Sequence, residues 1–101
     1  MKHVLSLSVL GLAVLLASAA FAESAGEKVF NQKCAMCHKV KGKGGAIGPD
    51  LSKISGKMAE PQLREKLINP KKSNANSTMP AFATLPKNDM SALLTYMKGL
   101  K

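Results

Sequence analysis

Apolar residues recur with helical spacing at the end of the chain, where Met90, Leu93, Leu94 and Met97 fall at i, i+3, i+4 and i+7. That spacing predicts an amphipathic helix beginning near Asn88-Asp89, with Lys98 and Lys101 suited to its negative end. A second helix is predicted in "AEPQLREKLINP": Pro61 fits a first turn, Leu63 and Leu67 stand one turn apart with Ile68 beside them, and Asn69-Pro70 closes the segment. A third opens at Ser24-Ala25-Gly26-Glu27, a capping box, and runs to about Lys33, with Val29 and Phe30 as its apolar residues. Between these, the glycine-rich residues 39–57 and the stretch "KKSNANSTMPAFATLP" read as loops. No alternating apolar run is long enough for a strand and no repeat is present, so the expected fold is all-α, three to four short helices in one domain.

The apolar run from Val4 to Ala17 belongs to a different kind of segment. Lys2 gives it a positive start, and Ala20-Phe21-Ala22 offers the small-x-small pattern of a signal-peptidase site. Residues 1–22 are therefore expected to be a cleaved secretory signal, with residues 23–101 as the mature domain in the periplasm. The run is short for a membrane span and interrupted by Ser6 and Ser8, so no integral span is expected after cleavage.

Composition adds a gap in the inventory. The mature chain would have no tryptophan and only Phe30, Phe82 and Tyr96 as aromatic residues, too few bulky groups for so small a domain unless a disulfide, metal or cofactor completes the core. Lysine and arginine exceed aspartate and glutamate, giving a formal +9 for the whole chain. Without basic-aromatic interleaving or a reading motif this does not indicate nucleic acid; acidic docking patches on partner proteins fit it better. A monomer is expected.

The chemistry concentrates in "NQKCAMCHKV", which holds both cysteines, Cys34 and Cys37, and His38 directly after them. Three readings compete. A thiol-disulfide site is the first, but it usually sits in a βαβ setting that this chain does not offer. Zinc is the second, and the trio supplies three ligands with no fourth Cys or His in the mature chain. Covalent haem is the third: C-x-x-C-H places two sulfurs about one helical turn apart for thioether links and an imidazole next to them for the iron. Haem would also supply the missing apolar body. His38 is the only histidine outside the signal segment, so a sixth ligand within the chain would be a methionine or a lysine. Met36 lies between the linked cysteines, and Met90 and Met97 belong to the helical stripe; Met79, in a loop and followed by Pro80, is favoured, with Met58 as the alternative.

The ordered set of the first helix, "CAMCH", "GPDL", "TMPAF" and the last helix resembles the small bacterial class I c-type cytochromes, monohaem cytochromes c, over essentially all of residues 23–101. The resemblance implies the cytochrome c fold wrapped around one covalently bound haem c, with Cys34 and Cys37 as thioethers and His38 and Met79 as axial iron ligands. It further implies a bond from the Pro49 carbonyl to the second nitrogen of His38, and a crossing of first and last helices where Gly26 and Phe30 meet Leu93 and Tyr96. The function implied is electron transfer between a periplasmic reductase and an oxidase or terminal reductase, not catalysis. A haem subunit of a larger redox complex is the alternative, or a ligand-binding haem protein if Met79 is not on the iron. Two departures stand out: there is no tryptophan of the kind many relatives place against a haem propionate, and the loop from Pro49 to Met79 is short, which should leave a haem edge open to solvent.

Overall fold

A computed structural model describes residues 23–101; the proposed signal segment lies outside the described residues. Helix α1 spans Ala25–Lys33, α2 Glu60–Ile68, α3 Pro70–Ser73 and α4 Lys87–Lys98. The start of α1 is set as expected, since the Ser24 hydroxyl accepts from the Glu27 amide at 3.1 Å. Only that half of the capping box forms among the described contacts. At α2 the reverse half is made: Gln62 reaches back to accept from the Ala59 amide at 2.9 Å, and Pro61 sits in the first turn, where its missing N–H has no intrahelical partner to lose.

The fold is built on the crossing of α1 and α4. Phe30, Leu93 and Leu94 are the largest fully buried side chains, and the Phe30 and Tyr96 rings meet at a centroid distance of 5.5 Å, tilted by 52°. Gly26 makes this crossing possible. A Cβ there would lie 2.1 Å from the Ala92 carbonyl oxygen and 2.6 Å from Tyr96 Cβ, so only glycine admits the fourth helix so close. All four methionines and leucines of the C-terminal stripe are buried.

Around this pair the chain lays down a shared core. Leu63 and Leu67 enter it from α2, while Leu51 and Ile54 enter from the segment before α2, where Ile54–Gly56 form a single 3-10 turn. Leu100 is buried too, and its carbonyl accepts from the Ser55 amide at 3.0 Å, tying the C-terminus to that turn.

Three sequence expectations need correction. Residues 39–57 are not all loop: Lys39–Val40 (β1) and Lys43–Gly44 (β2) pair antiparallel, with Val40 opposite Lys43. The two residues between them, Lys41 and Gly42, have φ of 50° and 80°, the positive pair that a tight two-residue hairpin requires. Secondly, Pro70 does not merely end α2; it starts α3, because a proline at the first position of a helix is preorganised for it. Thirdly, Ile68 does not pack with Leu63 and Leu67 but stays exposed, being one residue, or about 100°, round the helix from Leu67.

Candidate haem-binding site

Helix α1 ends where the chemistry begins. Cys34 is its C-cap, its amide donating to the Phe30 carbonyl at 2.8 Å, and the Cys34 carbonyl then accepts from the amides of both Cys37 (3.1 Å) and His38 (3.0 Å). Both thiols and the imidazole therefore ride on one tight turn. Cys34 is buried, Cys37 and His38 are half-buried, and Met36 between them is 84% exposed, which removes it from any inward role.

A second strand of chain is sewn along this turn. Gly45 donates to the Ala35 carbonyl at 2.8 Å, Gly48 to that of Cys37 at 2.7 Å, and Leu51 to that of Lys39 at 2.8 Å. This lacing carries Pro49 to the imidazole, where its carbonyl oxygen lies 2.8 Å from His38 Nδ1. A carbonyl can only accept, so the bond places the ring proton on Nδ1 and leaves Nε2 with its lone pair. The loop is braced further on: Asp50 Oδ1 accepts from the Ser52 amide (2.8 Å) and hydroxyl (2.6 Å), and the Ser52 hydroxyl accepts from the Lys41 amide (2.8 Å). These two bonds from Ser52, hydroxyl first, hold the exposed Asp50 carboxyl below its ordinary range.

The donor set fits a covalently held haem: two free thiols one turn apart, and an imidazole presented as the tautomer that binds iron through Nε2. The same geometry argues against thiol-disulfide chemistry. Reactive C-x-x-C thiols sit at helix N-termini with lowered pKa. Here Cys34 closes the C-terminus of α1, and burial, with Cys37 adding to it, pushes its thiol up to about 11. A zinc site finds no support either, as no cluster of three or more metal-binding side chains forms among the described residues.

Of the two methionine candidates, both are half-buried and both pack on the core. Met79 lies in the segment from Asn74 to Pro86. The Met79 amide donates to Ser77 Oγ at 3.2 Å, and the segment is pinned to α2 by the Phe82 amide on the Leu67 carbonyl at 2.7 Å. Met58 follows the 3-10 turn, its amide on the Ile54 carbonyl at 3.0 Å. Gly48, which opens the "GPDL" stretch and had no role assigned from the sequence, lies beside the imidazole. A Cβ added there would lie 2.5 Å from His38 Cε1.

Charge is unevenly used. Glu60 pairs with Arg64 (3.4 Å) and Lys98 (3.3 Å), and Glu65 with Lys72 (2.6 Å). Among the described residues Lys39, Lys41, Lys43, Lys53, Lys57 and Lys71 make no ion pair, while Lys72 is held by Glu65, which raises its pKa.

Comparison with known proteins agrees with this geometry. The family model "Cytochrome c" matches residues 23–101. The chain is 34% identical to cytochrome c of Gossypium barbadense, over 73% of this chain and 86% of that one. It is 29% identical to cytochrome c550 of Pseudomonas aeruginosa, over 74% of this chain and 53% of that one. A stretch of cytochrome c oxidase subunit 2 of Alkalihalophilus pseudofirmus is 31% identical over 75% of this chain, but only 25% of that protein is covered. With the match running from Glu23 to the last residue, the chain belongs to the cytochrome c family, as a class I monohaem c-type cytochrome: a haem-based electron carrier, not an enzyme, with covalently attached haem c.

Proposed function

We propose that the chain is an exported carrier whose haem is joined through Cys34 and Cys37, with His38 and Met79 on the iron, and which moves single electrons between a reductase and an oxidase or terminal reductase in the periplasm. The observation that carries this reading is the Pro49 to His38 Nδ1 contact at 2.8 Å. It fixes the tautomer, orients the ring and makes Nε2 a better donor, on the same turn as both thiols. When bound, haem supplies the Fe(II)/Fe(III) couple.

The protein's part is to hold the two axial side chains still and to set the surroundings. His38 is fastened by the loop carrying Pro49 and by the turn after α1. Met79 is the favoured sixth ligand because its segment is closed at both ends, by the end of α3 and the start of α4, and pinned in the middle on α2. With His38 and Met79 both holding the iron, no position would be left for a substrate, and the soft thioether of Met79 would favour the ferrous state. The unpaired lysines of residues 39–57, with Lys71, are assigned to docking on acidic partner surfaces. Export is supported by the apolar leader with its Ala20-Phe21-Ala22 site and by the likeness to a bacterial cytochrome c550. No helix among the described residues is long and apolar enough to cross a membrane.

The visible spectrum of protein exported in a host with haem-maturation machinery tests the reading. A c-type spectrum with the weak far-red ferric band of methionine-ligated iron is expected. Haem without that band would refute the assignment of a methionine, and absence of haem would refute the carrier itself.

A further inference from the structure

Gly48 stands between two contacts that fix its place. Its amide donates to the Cys37 carbonyl at 2.7 Å, and the next residue, Pro49, presents its carbonyl to His38 Nδ1 at 2.8 Å. Gly48 is not one of the glycines at positive φ, which are Gly42 and Gly44, so no left-handed backbone calls for glycine here. What refuses a side chain is the imidazole. The three nearest atoms to an added Cβ would all belong to the ring: Cε1 at 2.5 Å, Nδ1 at 2.8 Å and Nε2 at 3.1 Å.

We infer that Gly48 is a positioning residue for His38: its bare Cα is a stop against which the imidazole rests, and this contact sets the ring angle that Pro49 then locks. The inference rests on His38 being the iron ligand. A methyl group at residue 48 needs about 1 Å more room than the ring leaves it, because carbon atoms settle at about 3.5 Å or more. The loop cannot easily retreat, since Gly45, Gly48 and Leu51 are all bonded to the turn that carries His38. The ring must therefore swing or slide. Either movement strains the bond between Nδ1 and the Pro49 carbonyl, which makes the imidazole a poorer donor. A poorer donor stabilises ferric iron less, so the reduction potential rises. The ring's new angle also changes how unpaired spin is spread over the haem.

The test uses haem-loaded protein and compares Gly48→Ala with Gly56→Ala, a control whose added Cβ would meet nothing within 4 Å. In the ferric parent, proton NMR should show strongly shifted His38 ring protons; if it does not, His38 is not the ligand, and the functional reading fails before Gly48 is tested. In the ferrous parent a nuclear Overhauser contact between the Gly48 α-protons and His38 Hε1 is expected, and its absence overturns the inference. Gly48→Ala should change the order of the shifted haem methyl resonances, raise the potential, and speed solvent exchange of the Nδ1 proton about fivefold or more, the scale set by weakening one hydrogen bond. Gly56→Ala should leave all three as in the parent. A Gly48→Ala protein matching the parent in all three overturns the inference. Loss of haem-loaded protein confined to Gly48→Ala, with the Overhauser contact present in the parent, supports it; equal loss in Gly56→Ala counts against it.

Discussion

Replacing Gly26 by alanine puts the helix crossing under a load that can be worked out in advance. The new Cβ would lie 2.1 Å from the Ala92 carbonyl oxygen, 2.8 Å from its carbonyl carbon and 2.6 Å from Tyr96 Cβ. None of these atoms is the end of a flexible side chain, so no rotamer change relieves the overlap. Helices α1 and α4 must part by about 1 Å to restore ordinary contact. That opens the packing around Phe30, Leu93 and Leu94, the best-buried side chains of the core. Overpacking of this kind costs about 1–3 kcal/mol. Against it stands a gain of about 1 kcal/mol, because alanine is the better helix former. With backbone atoms as the obstacle the cost sits at the upper end of that range, about 3 kcal/mol, so the opposing terms leave a net loss of about 2 kcal/mol. For a domain of this size that is a fall in Tm of about 8–16 °C. Guanidinium and thermal unfolding of haem-loaded protein, followed by circular dichroism, measures it, with Gly56→Ala as the control in open space. If Gly26→Ala lies within about 0.5 kcal/mol of the parent, α1 and α4 do not need glycine at their crossing.

Met79→Ala is expected to lower the reduction potential and to let azide or imidazole bind the ferric iron, read by spectroelectrochemistry and ligand titration; if neither effect appears, the assignment passes to Met58. Oxidation of the ferrous protein by ferricyanide should slow as ionic strength rises, and Lys41→Glu with Lys43→Glu should slow it more than the same two charge reversals at Lys66 and Lys87; equal effects would place the docking charge elsewhere. Glu60 is held below its ordinary pKa of 4.5, first by the bond to Lys98 and then by Arg64. A carboxyl depressed in the folded state adds stability above about pH 4.5 that is lost as pH falls through the depressed value. The stability difference between the parent and Glu60→Gln should therefore be constant near neutral pH and shrink in acid, and a difference that grows in acid would contradict the assignment.

What could be read from the chain alone was whatever repeats or caps locally. The stripe of Met90, Leu93, Leu94 and Met97 is written in a 3.6-residue period, and Ser24 declares the start of α1 three residues before the amide it caps. The turn of Cys34, Cys37 and His38 was legible because its three chemical groups are adjacent in sequence. The hairpin was not, because its ladder is two residues deep and its turn carries lysine where asparagine or glycine is the usual signal. Helix α3 was hidden for a similar reason: four residues, Pro-Lys-Lys-Ser, hold no apolar period. The contact of Pro49 with His38 was expected only from family resemblance. Gly48 belongs to the "GPDL" stretch that carries the resemblance, but its place against the same ring was not legible, since a glycine before a proline in a glycine-rich loop reads as a turn.

The two sides of the site are secured unequally, and this follows from where each candidate ligand sits in the chain. On the His38 side, three backbone bonds of 2.7–2.8 Å lace residues 45–51 to residues 35–39, and the imidazole adds a fourth contact at 2.8 Å. Two thioether links would fasten that turn again. On the Met79 side, the bonds Ser77 to Asn74 (3.0 Å) and Met79 to Ser77 Oγ (3.2 Å) are internal to the segment, and the Phe82 amide on the Leu67 carbonyl (2.7 Å) ties it to another element. Segments with few contacts to the rest of the fold open at lower free energy than those with many. If the axial pair is His38 and Met79, the methionine side is therefore the one that yields first under denaturant or competing ligand, while the histidine side keeps the haem in register. With that pair, the ligand that most raises the potential would sit on the less tied segment, and the one that orients the haem on the laced turn.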